Sequence, residues 1–175
     1  IISASIYISC RQNSNPRTAK EIANIFKLDS TSATKGCKNA ITIINNIEKD
    51  YNMSDKTVLC STAPCDFINR FCSKLNMNVE LTRLCEFISV LVAKNNLVPE
   101  NTPHSIAAGV IYLVVQVFQL HIQKKDINKI SNISEVTINK CYKKLEDKKE
   151  KLIPSQILKK YKINLKSNRI YIFIK

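Results

Sequence analysis

The hydrophobic and polar positions of the chain alternate with the periodicity of an α-helix. Apolar residues return at intervals of three and four, which places them on one face of a helix. Helices are predicted over residues 1–12, 18–27, 30–50, 65–75, 79–94 and 103–120, with a further pair from residue 124. The longest stripe, within 30–50, comprises Ala33, Cys37, Ala40, Ile41, Ile44 and Ile47. The pattern therefore predicts an all-α fold.

Polar residues at the predicted helix starts support these boundaries. Thr18 is followed three residues later by Glu21, which is the spacing of a capping box. Thr102 precedes Pro103, and proline is favoured at the first position of a helix. The helix that Pro103 opens is the most apolar of the chain, but its glutamines favour a central helix of a globular domain over a membrane span.

The first part of the chain recurs further along. Tyr7 corresponds to Tyr112 and the run 20–22 corresponds to 125–127, both at an offset of 105 residues without a gap. Such a long interval predicts two similar globular domains in tandem rather than a solenoid. The predicted organisation is a first repeat at 1–50, a linker at 51–63, a second repeat at 64–153 and a basic tail at 154–175. The first repeat has fewer predicted helices, so the chain is expected to begin inside it.

The segment from residue 124 has the layout of a helix-turn-helix. A short helix and a turn precede a second helix, for which Ser134 is the predicted N-cap. The face predicted to be buried carries Ile138, Cys141 or Tyr142, and Leu145. The opposite face carries Val136, Asn139, Lys140 and Lys143. Such a second helix can enter the major groove of DNA, and backbone N–H groups near Ser134 can meet a phosphate. The alternative is a packed helical hairpin with a solvated lysine face.

The charge of the chain favours a polyanionic partner. Lysine and arginine number 27 against 14 acidic residues, a net charge of +13 and a pI near 9.5. Nucleic acid is favoured over a membrane because the basic residues are spread along the chain rather than along one amphipathic helix. A lysine bias that serves only solubility is the alternative.

The sequence contains no recognisable catalytic or metal-binding motif. The seven cysteines fall mostly at apolar helical positions, where a free thiol packs as a small hydrophobe. Cys60 and Cys65 are close in sequence, but no histidine or second cysteine pair follows them at zinc-ligand spacing. Two glycines cannot form a phosphate-binding loop, and His104 and His121 lie beside no nucleophile motif. No enzyme activity, cofactor, metal or small-molecule substrate is predicted. The odd number of cysteines favours a reducing compartment.

Several motifs resemble one known family. The stretch SIYISCRQ at 5–12, PRT at 16–18 and KEI at 20–22 resemble the first cyclin-like repeat of general transcription factor IIB. DFINRFCSKL at 66–75, LVP at 97–99 and VTI at 136–138 match its second repeat in order and spacing. The resemblance covers residues 1 to about 150. It implies two cyclin-like helical domains, the first incomplete, each with a helix-turn-helix-like pair.

The resemblance also implies a function. It is that of a non-enzymatic initiation factor in the nucleus, which binds the TATA-binding protein on promoter DNA and helps recruit RNA polymerase II. An RNA polymerase III factor related to IIB, a cyclin-like module that regulates a kinase, and a basic RNA-binding helical protein are the alternatives. The high charge and the helix-turn-helix lysines disfavour the kinase regulator. The RNA-binding protein is disfavoured because clustered aromatic stacking platforms are missing.

Site residues follow from the resemblance as well. The family reads a G/C-rich element with a valine and an arginine, whose positions here hold Val136 and Asn139. Arginine pairs with guanine, whereas asparagine suits adenine, so weak or A/T-shifted reading is expected. Lys140 and Lys143 are expected to contact phosphates. The family's basic positions in the first repeat match Lys35 and Lys38, expected to contact the TATA-binding protein or phosphate.

The tail at 154–175 lies outside the resemblance. It is basic, and the alternation of residues 169–175 predicts a short strand or an adhesive tail.

Overall fold

The computed structural model describes residues 1–163 of the 175-residue chain. These residues form ten helices and no strand, which confirms the predicted all-α class. The helices are α1 (Ile2–Gln12), α2 (Ala19–Ile25), α3 (Ser30–Ile47), α4 (Cys65–Lys74), α5 (Val79–Lys94), α6 (Pro103–Val117), α7 (Lys124–Ser131), α8 (Glu135–Glu146), α9 (Lys149–Leu152) and α10 (Ser155–Lys160). None of these ten combines the length and the apolarity that a membrane crossing requires. The chain divides into two compact units, one of Ile1–Thr62 and one that begins at Ala63.

The first unit contains α1, α2 and α3 around a small core. The predicted capping box opens α2, where the Glu21 amide donates to Thr18 Oγ1 at 3.0 Å and the Thr18 amide donates to Glu21 Oε2 at 2.8 Å. Along α3, Ala33 and Cys37 are buried, whereas Ile47 is 62% exposed. The predicted stripe is therefore buried only in its first half, because α1 and α2 have 11 and 7 residues and do not cover the 18 residues of α3.

The segment predicted as a linker is hydrogen-bonded to this first unit. The Arg11 guanidinium donates from Nε and Nη2 to the Cys60 carbonyl oxygen at 3.1 and 2.8 Å. The Thr57 amide donates to Glu48 Oε2 at 2.7 Å. A hydrogen bond from the Thr57 hydroxyl to Glu48 Oε1, together with the amide contact, lowers the pKa of the Glu48 carboxyl. Residues 57–60 therefore run back along the helices of the first unit.

The second unit is built around α6. This helix packs against α4, α5, α7 and α8, and nearly all of its side chains are buried. This nearly complete burial explains why its sequence is apolar on most sides rather than along one stripe. As predicted, Thr102 is its N-cap and Pro103 occupies its first turn. The segment 103–117 is thus the core helix against which α7 and α8 pack.

The helices of the two units recur at the offset found in the sequence. α2 begins at Ala19 and α7 at Lys124, and α3 begins at Ser30 and α8 at Glu135, so both starts are 105 residues apart. The buried isoleucine of α2 has its counterpart in α7, since Ile22 and Ile127 are both 1% exposed. The internal duplication is therefore a duplication of helices as well as of sequence.

Both units have a glycine at one corresponding pair of positions, and the glycine of the second unit is closely packed. Gly109 of α6 lies against Cys141 of α8, and a Cβ added to the glycine would be 2.4 Å from the cysteine Sγ and 2.8 Å from its Cβ. At the same offset of 105 residues, the first unit has Ala4 and Gly36. Each unit therefore has one glycine at this pair of positions, on α6 in one case and on α3 in the other.

The beginning of the predicted tail is part of the folded second unit. α10 follows Pro154, and the Tyr161 ring contacts the Phe118 ring edge to face, with centroids 5.1 Å apart. The Glu80 carboxylate accepts hydrogen bonds from Lys160 Nζ at 2.7 Å and from the Tyr161 hydroxyl at 2.8 Å. These donors lower the pKa of Glu80. The strand predicted at 169–175 lies outside the described residues.

The buried thiol of Cys141 predicts a loss of stability at alkaline pH. Burial raises the pKa of Cys141 from 9.0 to about 11. Because the unfolded chain releases this proton first, the stability that the thiol contributes is fully present below pH 9 and is lost as the pH rises towards 11. The free energy of unfolding of the wild type, relative to Cys141→Ala, is expected to fall by about 2 kcal/mol between pH 8 and pH 11.

Urea unfolding of both proteins at the two pH values measures this difference. Other titrating groups are shared by the two proteins and cancel in the comparison. A difference that stays constant with pH contradicts the prediction.

Candidate nucleic-acid interface

The helix-turn-helix of the second unit starts from a capped α7. The Gln123 amide donates to Asp126 Oδ2 at 2.9 Å, which satisfies one of the free N–H groups at the start of the helix. Ile127 and Ser131 are buried on the inner side of α7. The amide-to-carboxylate contact at 123–126 matches that at 18–21 of the first unit, at the offset of 105 residues. The first helix of the pair is therefore fixed at its start and along its inner face.

The turn between α7 and α8 is held by side chains. Asn132 adopts the left-handed conformation with φ 57°, which asparagine tolerates better than most residues. Asn128 Nδ2 donates to the Ile133 carbonyl oxygen at 2.7 Å. Ser131 Oγ donates to the Ile127 carbonyl oxygen at 2.7 Å and accepts from the Ile133 amide at 3.2 Å. These contacts set the angle at which α8 leaves the turn.

The second helix, α8, has one buried and one exposed face, as its periodicity predicts. Ser134 is its N-cap and accepts from the Thr137 amide at 3.2 Å. The buried side chains are Ile138, Cys141 and Leu145, each 0% exposed. Of the two alternatives for the middle position, Cys141 is the buried one and Tyr142 is half-buried. Val136 is 65% exposed although it is apolar, and Lys140 and Lys143 are exposed beside it.

The exposed lysines of α8 differ in their contacts. Lys144 forms an ion pair with Glu100, which precedes α6. Within residues 1–163, no ion pair or hydrogen bond is made by the Lys140 or Lys143 ammonium groups. These two groups are therefore available to an external anion, whereas the charge of Lys144 is already matched by a carboxylate.

Asn139 has a partner that the sequence did not reveal. Lys124 Nζ, on the first residue of α7, donates to Asn139 Oδ1 at 3.0 Å. The same ammonium lies 5.0 Å from the centroid of the Tyr112 ring, a distance typical of a cation–π contact. Tyr112 in turn meets Tyr142 edge to face at 5.0 Å. Asn139 is therefore one end of a polar and aromatic network that links α6, α7 and α8.

Lys124 is the functional candidate that sequence analysis missed. Its partner is 15 residues away, so no local pattern joins the two. One signal was present, because a lysine in the first turn of a helix opposes the helix dipole and suggests another role for its charge. The corresponding position of the first unit is Ala19, and that of Asn139 is Thr34, so the first unit does not have this pair.

The predicted basic positions of the first unit lie on its own helical pair. Lys35 and Lys38 are exposed on α3. With Lys20 of α2 they line a shallow cleft whose other residues are hydroxyl-bearing: Ser30, Thr31 and Thr34. Three ammonium groups and three hydroxyl groups around one cleft form an anion-attracting surface.

Metal ligands do not cluster in the part of the chain that the structure describes. No group of three or more histidine, cysteine, aspartate or glutamate side chains within residues 1–163 is arranged to hold a metal ion. His104 packs its ring against Phe67, with centroids 5.9 Å apart, so this histidine has a packing contact in the second unit.

The fold and the exposed face of α8 define a class: a helical protein with a duplicated three-helix unit, in which the last two helices form a helix-turn-helix. A family model described as "Transcription factor TFIIB repeat" matches residues 58–148. The match covers the second unit from just before α4 through α8. It includes Val136, Asn139, Lys140 and Lys143.

Individual relatives agree with the family match. The chain is 37% identical over 168 residues to a putative transcription initiation factor IIB-like protein of Acanthamoeba polyphaga mimivirus, covering 94% of this chain and 36% of that protein. It is 33% identical over 166 residues to transcription initiation factor IIB of Encephalitozoon cuniculi, covering 94% and 49%. For the Dictyostelium discoideum factor IIB the identity is 32% over 158 residues, covering 89% and 45%.

The chain belongs to the transcription factor IIB family. It spans between about a third and a half of the length of these relatives.

Proposed function

We propose that this chain is the DNA-binding core of a general transcription initiation factor, which joins the TATA-binding protein on promoter DNA and acts with RNA polymerase II in the nucleus. The observation that carries the proposal is the exposed face of α8, where Val136, Lys140 and Lys143 lie together on a helix whose other face is fully buried. The names of the relatives, transcription initiation factor IIB, favour this reading over a kinase regulator or a polymerase III factor.

The chemistry of α8 suits the major groove. Lys140 and Lys143 supply two ammonium groups for phosphates, which give affinity without sequence information. Val136 offers an exposed apolar side chain that can contact the methyl group of thymine. Ser134 caps the end of α8 that enters first in this docking geometry. The helix therefore combines positioning contacts with one apolar base contact.

The first unit supplies a second basic surface in this proposal. Lys35 and Lys38, with Lys20 across the cleft, attract either phosphates beside the TATA element or the acidic side chains of the TATA-binding protein. The net charge of +13 supports a polyanionic partner in both cases. In the complex, the two repeated helical pairs give the chain two separate contact surfaces.

A gel-shift experiment tests the proposal. A duplex with a TATA element is incubated with the TATA-binding protein, with and without the full 175-residue chain, at two salt concentrations. The proposal predicts a slower band when the chain is added, weaker at the higher salt. A chain that is helical by circular dichroism but gives no slower band at either salt concentration contradicts the proposed function.

A further inference from the structure

Asn139 of α8 is hydrogen-bonded to Lys124 of α7, and the base preference inferred from that contact rests on the proposed function. An asparagine reads adenine with both amide atoms, because Oδ1 accepts from adenine N6 while Nδ2 donates to N7. In this structure Asn139 Oδ1 already accepts a hydrogen bond from Lys124 Nζ at 3.0 Å. One of the two lone pairs of Oδ1 is therefore already occupied, which reduces the capacity of the carboxamide to accept from adenine N6.

We propose that Lys124 and Asn139 together form one base-reading unit that selects guanine. An ammonium group has three N–H donors and no acceptor. One of the three donates to Asn139 Oδ1, which leaves two donors on Lys124, two on Asn139 Nδ2 and one lone pair on Oδ1. The donors of the pair therefore outnumber its acceptors. Guanine presents two acceptors, N7 and O6, in the major groove, whereas adenine presents one acceptor beside a donor.

The surroundings of Lys124 hold its ammonium group at this place. Lys124 Nζ lies 5.0 Å from the centroid of the Tyr112 ring. The Tyr112 ring in turn packs edge to face against Tyr142. The Tyr142 hydroxyl donates to Glu146 Oε1 at 2.5 Å, which ties the second ring to α8. A long lysine side chain with partners on α6 and α8 loses less freedom when it meets a base than an unrestrained lysine does.

The first unit provides an internal comparison. The positions of Lys124 and Asn139 hold Ala19 and Thr34 in the first unit, while the positions of Lys140 and Lys143 hold lysine in both units. Both helical pairs therefore have lysine at the two positions proposed to contact phosphate. The Lys124–Asn139 pair occurs in the second unit alone. Base reading by this pair is accordingly assigned to α7 and α8.

The test is a selection from duplexes that carry a TATA element with randomised flanks. The TATA-binding protein and the full chain are used together, and bound duplexes are sequenced for the wild type, Lys124→Ala and Lys125→Ala. Lys125 is an exposed neighbour, so its variant removes the same charge but leaves Asn139 paired. The wild type is expected to enrich guanine over adenine about fivefold or more at one flank position. Lys124→Ala should shift that position towards adenine, and Lys125→Ala should not.

Each other outcome decides a different question. If Lys124→Ala lowers the amount of bound DNA equally for all sequences, Lys124 contacts phosphate alone and the proposal is wrong. If the wild type binds DNA without any preferred base, Lys124 and Asn139 do not select guanine, and only the proposed DNA binding is supported. If the TATA-binding protein retains no more duplex with the wild-type chain than without it, the proposed function itself fails, and the base-reading proposal with it.

Discussion

Replacing Gly109 with alanine is expected to destabilise the second unit by about 2 kcal/mol or more. The new methyl group would lie 2.4 Å from Cys141 Sγ and 2.8 Å from Cys141 Cβ. Neither atom can move away alone, since Cys141 is 0% exposed and its Cβ is attached to the backbone of α8. The helices α6 and α8 must therefore separate, and that strain exceeds the gain of about 1 kcal/mol that alanine gives over glycine in a helix.

Gly36→Ala is the matched control for this prediction. It is the other glycine of the chain and also lies inside a helix, but a Cβ there would meet nothing within 4 Å. This variant is expected to be as stable as the wild type or more stable by about 0.5–1 kcal/mol. Urea unfolding monitored by circular dichroism measures both variants.

A second substitution should rescue the first. In Gly109→Ala with Cys141→Gly, the alanine lies on α6 and the glycine on α8, which is the arrangement that Ala4 and Gly36 have in the first unit. The double variant is expected to be more stable than Gly109→Ala, although a glycine inside α8 costs about 1 kcal/mol. If Gly109→Ala is as stable as the wild type, α6 and α8 can accommodate the methyl group without separating, and the prediction is wrong.

The double variant Lys140→Ala, Lys143→Ala is expected to bind promoter DNA about tenfold more weakly than the wild type at moderate salt, because two phosphate contacts are lost. The salt dependence should change with the affinity. Each phosphate contact contributes about 0.9 to the slope of log affinity against log salt, so the slope should become shallower by about two. Both ammonium groups are exposed, so stability should stay near that of the wild type.

A variant with the same loss of charge elsewhere is the control for this measurement. Lys74 at the end of α4 and Lys94 at the end of α5 are exposed and lie outside the helix-turn-helix. Lys74→Ala with Lys94→Ala lowers the net charge by the same amount. If both double variants lose affinity equally, the chain binds DNA through its overall charge rather than through α8, and the role given to Lys140 and Lys143 is refuted.

Local sequence signals account for much of the fold. The capping box of Thr18 and Glu21 and the buried face of Ile138, Cys141 and Leu145 follow from periodicity and from known end preferences of helices. These features depend on residues three or four positions apart, so they can be read directly along the chain. The helix-turn-helix and its exposed face were predictable for the same reason.

Contacts between distant residues could not be predicted in this way. Lys124 and Asn139 belong to different helices, and their hydrogen bond depends on the angle that the turn gives to α8. The docking of Tyr161 on Glu80 joins residues 81 positions apart, so the start of the predicted tail had no local sign of being folded. The 62% exposure of Ile47 likewise depends on the lengths of α1 and α2 rather than on the pattern of α3.

In the proposed complex, α8 lies in the major groove beside a TATA element bound by the TATA-binding protein. Dimethyl sulfate methylates guanine at N7, an atom that faces the major groove, so its reaction reports whether α8 is there. With guanines placed in the flanks of a TATA duplex, adding the chain to the TATA-binding protein complex is expected to protect guanine N7 in one flank. The Lys140→Ala, Lys143→Ala variant should weaken that protection. A complex that forms with the chain but leaves guanine methylation unchanged in both flanks would show that α8 does not lie in the major groove there.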